Sequence, residues 1–238
     1  KSSPNLGSDG SMYSLVENLG HTITKLKPAL CPINVKSDIL KTIKGVRADG
    51  KVSVMKKGKV VKSDSGEIQF TGESISGICA FNLSYLDYDT VRVSLMPDYS
   101  KNEIIDILKE RRTLFKDNSI EDFFLGMFNN KLSVALLKVG KMGSFNRKCN
   151  DISNKEIENL AGIINEFDFV TTGKNDYSKS QVTCGGVSGK EINTNTLESL
   201  YIPNLYFCGE IIDIDGICGG YNLQFAFASG MKAGALEW

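Results

Sequence analysis

The chain has 238 residues, with 28 Lys and Arg balanced by 28 Asp and Glu for a net charge of zero. That length supplies a sizeable core and suits two ordinary domains better than one. The balance, with neither sign dominating a long stretch, gives a nucleic-acid partner no electrostatic support, and no apolar run approaches the roughly 20 residues needed to cross a bilayer.

No signal peptide opens the chain, so a cytoplasmic setting is expected. The first residue is Lys1 rather than Met, which suggests a piece of something longer. The cysteines Cys31, Cys79, Cys149, Cys184, Cys208 and Cys218 form no C-x-x-C pair and do not cluster with the sole histidine, His21. That spacing argues against zinc and for small buried hydrophobes in a reducing compartment.

The chain opens on turn residues, after which Met12, Leu15, Val16 and Leu19 fall at helical spacing until Gly20 ends the pattern. From Cys31 to Leu95 the signal changes to short β-like runs at 46–55, 59–62, 67–70 and 91–95. Asp49-Gly50, Lys57-Gly58 and Ser65-Gly66 separate them as expected hairpin turns. A small barrel or curved sheet is the natural closure, with a short buried helix beginning at ICAFNLSYL. Residues 100–167 read as mostly helical. Ile104, Ile105 and Leu108 form one stripe, with Ser100 or Asn102 as its cap, and further amphipathic stretches run over 120–128, 131–139 and 154–167. After Asp168 the β signal resumes in FVTTG, QVTCGGVSGKEI and LYFCG, and a last helix begins near Tyr221. The ends read as α/β and the middle as strands plus helices, so one domain is expected inside another.

The stretch PNLYFCGEIIDIDGICGGYNLQFAFASGMKAG carries the chemistry. Gly209-Glu210 places a carboxylate at the expected end of a buried strand. Gly219 and Gly220, lacking a Cβ, would let backbone approach a flat ring closely. The N–H groups of Tyr221, Asn222 and Leu223 would carry the positive end of a helix dipole, which suits the charge of a reduced flavin. Gly185-Gly186-Val187 would either bring backbone to the same ring or form a tight turn. Asp213 either orders the loop or reaches cofactor or substrate. The D-x-D-G of Asp213 and Asp215 lacks the further oxygen ligands of a calcium loop, so no metal is expected. No general base stands out, His21 reads as structural, and no G-x-G-x-x-G follows an expected strand.

These segments resemble a known family. The run from Val182 to Gly234 is similar to the carboxyl-terminal signature of bacterial NAD(P)/FAD-dependent oxidoreductases, the aminoacetone-oxidase-like flavoproteins, which reads VTxGGV, TMES, GLYFxGExLDxDG and GGYNLQxAxxSG. SPNLGSDGSMYSLVENLGHTITKLKPALCPI and FTGESISGICAFNLS resemble two further family segments, with Ser11-Met12 in place of Asp-Gly and Gly72 and Ser74 in place of His and Gly. The resemblance implies a fold of α/β plus α+β type: an incomplete FAD-binding domain, 1–32 and 168–238, with an inserted β-barrel-and-helices cap at 33–167. It implies FAD as cofactor, NAD(P)H as candidate reductant and a small-molecule substrate, an amine among the candidates. Cofactor contacts are expected from Gly185, Gly186, Val187, Gly209, Glu210, Asp213, Gly219, Gly220, Tyr221, Asn222 and Leu223. A missing amino-terminal segment would grip the nucleotide, and its absence would leave apolar surface at 171–176 and 204–238 that invites self-association. The alternative is a non-catalytic fragment or subunit that binds another polypeptide and does not bind FAD by itself.

Overall fold

The structure is a computed structural model that describes residues 1–173 and 175–235. The far end of the expected FAD-binding segment, 236–238, and one position of the expected 171–176 surface, 174, lie outside the described residues. In chain order the elements are α1 (Ser11–Asn18), β1 (Lys27–Ala29), β2 (Ile33–Lys36), α2 (Ile39–Thr42), β3 (Arg47–Lys56), β4 (Lys59–Phe70), β5 (Ser74–Ser76) and α3 (Ile78–Phe81). They continue as β6 (Thr90–Ser94), α4 (Lys101–Leu114), α5 (Asn130–Val139), α6 (Asn154–Asn165), β7 (Phe167–Thr171), β8 (Val182–Cys184) and α7 (Tyr221–Gly234). Two compact units result, one of Lys1–Pro32 with Asn175–Trp238 and one of Ile33–Lys174.

The second unit is a closed barrel in the order β2-β5-β4-β3-β6-β7, with every ladder antiparallel. Period-two alternation sends Val52, Val54, Ile68, Phe70, Val91 and Val93 inward, and all six are fully buried. Only one of the three expected turns exists. Lys57 and Gly58, at φ 50° and 75°, take the left-handed pair of angles that a two-residue hairpin requires. Asp49-Gly50 and Ser65-Gly66 instead lie inside β3 and β4, where Gly50 and Gly66 face each other across the ladder. Space explains the first of these glycines: a Cβ on Gly50 would stand 2.5 Å from the Ser94 carbonyl oxygen of β6.

The cap of α4 is Ser100, one of the two residues expected there. Ser100 and Ser153 each close a capping box, with Glu103 and Glu156 returning to the cap backbone. Ile104 and Leu108 of α4, Leu132 and Leu136 of α5, and Ile157, Leu160 and Ile164 of α6 join the barrel's core cluster. Each such side chain contributes about 1.5–3 kcal/mol of burial free energy. Residues 120–128 do not form the expected helix. A 3-10 turn over Ile120–Asp122 leads into buried Phe123 and Phe124, and Gly126 at φ 76° stops any helical continuation. β7 pairs with both β6 and β2 and so closes the barrel. Residues 168–173 therefore belong to the barrel unit rather than to the carboxyl-terminal segment, and that unit runs past Phe167 to Lys174.

The first unit has one two-stranded antiparallel sheet, β1 with β8, and a small buried core of Val16, Val187, Ile192, Phe207 and Ile212. The expected strand LYFCG is absent: Tyr206 makes an isolated bridge to Glu198 and Phe207 donates to the Leu197 carbonyl, after which the chain turns at Gly209. Asn204, at φ 64°, breaks extended geometry just before it. Met12 and Leu15 on α1, Leu19 just after it, and Leu223, Phe227 and Met231 on α7 remain exposed. No helix among the described residues is long and apolar enough to cross a membrane.

Candidate functional site

Gly186 sets the geometry of the first unit. Its amide donates to Thr24 Oγ1 at 3.0 Å, its carbonyl accepts from the Thr24 amide at 2.9 Å, and an added Cβ would overlap the backbone of Ile211, Ile212 and Asp213. Beyond it Val187 donates to the Ile211 carbonyl at 2.8 Å and accepts from the Asp213 amide at 2.9 Å. Gly185, at φ 91°, lies equally close to the Lys25 carbonyl. Gly186 and Val187 thus hold the 211–213 segment through backbone contact, at a separation that leaves no room for a Cβ on Gly186.

Gly209, at φ 70°, fastens the same segment to α7. Its amide donates to Ser229 Oγ at 2.9 Å, and its Cα side meets Ala226, a small residue as this contact demands. Ser229, the buried residue of α7, passes its own proton to the Phe225 carbonyl at 2.6 Å.

Glu210 is half-buried and accepts the Thr183 amide through Oε1 at 2.9 Å. Thr183 sits opposite Pro28 in the two-stranded ladder with its amide turned outward, and Glu210 supplies the acceptor for that edge-strand donor. The same carboxylate stands beside Tyr13. Burial, then the charges of Glu210 and Tyr177, push the Tyr13 phenol up to about 12.

Beyond Glu210 the chain crosses Ile214 and Ile217 to Gly219 and Gly220, at φ 131° and 87°, and enters α7. Glu210, Gly219, Gly220, Asn222 and Leu223 line one hollow of about 340 Å³, together with Leu30, Gln181, Val182, Ile214, Ile217, Cys218, Phe225 and Ala226. Its walls are mainly apolar, and a Cβ at Gly220 would meet nothing within 4 Å. Five of the eleven residues expected from sequence thus meet around this hollow. Gly185, Gly186, Val187 and Gly209 are not among its lining residues. Tyr221 projects to solvent and packs against Gly216 and Gly219. Asp213 contributes its amide to Val187, while its carboxylate and that of Asp215 add to burial in raising the Cys184 thiol to about 11. Leu30, Ile214, Ile217 and Phe225 carried no sequence signal, since an apolar residue lining a hollow looks like any core residue.

His21 organises a second polar cluster. Nδ1 lies 3.1 Å from Glu191 Oε2 and Nε2 lies 2.9 Å from Ser199 Oγ, in the order of a hydrolase triad. Ser199 Oγ also accepts the Tyr201 and Ile202 amides at 3.0 and 2.9 Å, so its lone pairs are spent on a turn and its proton goes to Nε2. Nδ1–H therefore donates to Glu191, which also receives the Thr22 amide and is held below the usual carboxylate range, first by that bond. All three side chains are buried, with Tyr201 and Phe207 against the imidazole at 5.0 and 4.9 Å. This set is structural rather than nucleophilic.

A family profile described as "HI0933-like protein Rossmann domain" matches residues 1–236. The chain is similar to a protein of Clostridium scindens named 3-dehydro-bile acid delta(4,6)-reductase, at 34% identity over 98% of this chain and 59% of that protein. It is also similar to proteins named ribosomal RNA dihydrouridine synthase from Haemophilus influenzae and Escherichia coli, at 26% and 25% identity over 96% of this chain and 56% of each. The chain thus spans less than two thirds of these relatives' length. None of the three names describes the amine oxidation that the aminoacetone-oxidase-like resemblance implied.

Proposed function

The chain belongs to the HI0933-like Rossmann-domain family, and from that premise we propose that it forms the flavin-ring side of an FAD-dependent oxidoreductase. The observation that carries this reading is the hollow shared by Glu210 and the Gly219-Gly220 bend. The residues suit the group: apolar walls for a flat ring, backbone without Cβ at the bend, and one carboxylate for polyol hydroxyls. Glu210 accepts ribityl hydroxyls while still holding the Thr183 amide. The amides of Tyr221, Asn222 and Leu223, at the opening of α7, favour negative charge on the reduced ring. When bound, the flavin supplies hydride transfer.

The relatives' names describe saturation of a carbon–carbon double bond in one case of a 3-dehydro bile acid and in the other of uridine in ribosomal RNA. We take reduction of a double bond conjugated to a carbonyl in a small molecule as the reaction class, with NAD(P)H restoring the reduced flavin and the cytoplasm as its setting. The zero net charge favours a small molecule over RNA for this chain.

The nucleotide end is gripped by polypeptide other than these residues. Among the described residues the ladders are antiparallel, apart from the isolated parallel bridge of Val187 with Ile212, so a βαβ nucleotide cradle is not among them. The exposed faces of α1 and α7 supply a docking surface for that polypeptide, and left uncovered they promote self-association.

Titration of the chain with riboflavin and with FAD, followed by backbone amide shifts, tests this. Both are expected to move Thr183, Gly219 and Gly220 with similar affinity, on the order of millimolar, because the nucleotide handle is ungripped. Shifts confined to other residues, or none from either compound, would refute it.

A further inference from the structure

The loop from Gly216 to Gly220 is one wall of the hollow, with Ile217, Cys218, Gly219 and Gly220 all facing it. It has no regular structure to hold it, yet it must enter α7 at a fixed angle. The Asn222 side chain supplies the hold. Its Oδ1 accepts the Gly216 amide at 2.8 Å and its Nδ2 donates to the Gly216 carbonyl at 2.9 Å. One amide side chain thus pairs with both backbone groups of one residue, as a neighbouring strand would. Both orientations of the contact agree on which end of the amide is oxygen.

Gly216 is matched to this grip. A Cβ there would stand 2.8 Å from the Tyr221 Cβ and 3.6 Å from Asn222 Oδ1, so a larger residue would push the loop off the helix. The clip therefore joins three residues: Gly216 supplies the backbone, Asn222 the amide, and Tyr221 packs against Gly216.

We infer that Asn222 is a positioning residue: its amide is occupied by Gly216, and it acts on a ligand in the hollow by fixing the wall that Ile217 to Gly220 form. This rests on the flavin reading above and concerns the Asn222 side chain alone, the backbone amide keeping its place at the opening of α7. Side-chain amides that bridge both backbone groups of one residue close a loop at little entropic cost, because two bonds share one ordered side chain.

The test compares wild type, Asn222→Ala and Asn222→Asp by hydrogen exchange over 214–220 in the protein without ligand, and by riboflavin titration and the bound flavin's spectrum. Asn222→Asp retains an acceptor for the Gly216 amide but cannot donate to its carbonyl, so it is the graded variant. Exchange in 214–220 should rise about tenfold or more in Asn222→Ala and less in Asn222→Asp. Riboflavin affinity should fall in the same order, about tenfold for alanine, with protection of the barrel unit unchanged. Weakened riboflavin binding with unchanged loop exchange would make Asn222 a direct ligand and overturn the inference. A loosened loop with unaltered flavin affinity and spectrum would also overturn it. Failure of the flavin reading itself is recognised separately, in a wild type that binds no riboflavin while its loop remains protected.

Discussion

Replacing Glu210 by alanine tests the carboxylate where the structure defines its duty most sharply. Thr183 is 1% exposed, its amide points away from β1, and Glu210 Oε1 accepts it at 2.9 Å. A bond to a charged acceptor contributes about 1.5–3 kcal/mol, and a buried amide left without a partner costs about 1–3 kcal/mol. Glu210→Ala should therefore cost about 2 kcal/mol in local opening of β8, which is roughly 30-fold faster exchange of the Thr183 amide. Glu210→Gln keeps an acceptor and loses only the charge, so its effect should be about 1 kcal/mol, or roughly fivefold. The charge also bears on Tyr13. Burial is the larger reason its phenol stands at about 12 and the Glu210 charge the next, so both variants should lower that value while leaving it above the ordinary 10. Amide exchange read residue by residue, with a phenolate absorbance titration against Tyr13→Phe, measures both effects. Unchanged Thr183 protection in Glu210→Ala would refute the role assigned to this side chain.

Gly186→Ala should abolish folding of the first unit, because its Cβ would overlap three backbone positions, whereas Gly189→Ala, with nothing within 4 Å, should stay within about 0.5 kcal/mol of wild type by urea unfolding. His21→Ala should cost about 2–4 kcal/mol by opening a cavity and stranding Glu191 and Ser199, and nitrogen NMR of the wild type should find the proton on Nδ1. In the barrel unit the Arg147 guanidinium, hydrogen-bonded to Glu156, holds that carboxyl at about 2 against an ordinary 4.5. A depressed carboxyl stabilises the fold above its unfolded value and loses that contribution as pH falls. Glu156→Gln should thus cost about 1 kcal/mol at neutral pH, after solvent screening, with the difference from wild type vanishing between about pH 4.5 and 2.

The barrel unit was largely legible in the sequence because its periodicities are strong and local. Alternation in Val52, Val54, Val91 and Val93, and the apolar stripe of α4 with its Ser100 cap, each specify structure within a few residues. Glycine misled where it served packing: Gly50 and Gly66 read as turns, yet both lie inside a long hairpin, where Gly50 admits the Ser94 backbone of β6. LYFCG read as a strand from its apolar residues, but the burial of Phe207 comes from the small core of the first unit, without a ladder.

For the candidate site, the sequence indicated the Glu210 and Gly219-Gly220 pairing, because a carboxylate and a Cβ-free bend before a helix are chemically distinct. It could not assign the division of labour. Gly186 backs the 211–213 segment by long-range backbone contact, Gly185 lies against Lys25 and Leu26, Gly209 is fastened to Ser229, and the side-chain amide of Asn222 turns back to Gly216. Those partners are set by the folded path and not by spacing along the chain.

The most direct measurement is a crystal structure of this chain with riboflavin. Density for the tricyclic ring between Leu223 and the Gly219-Gly220 bend, with ribityl hydroxyls on Glu210, is the expected result. A ring bound elsewhere, with that hollow filled only by water, would contradict the account.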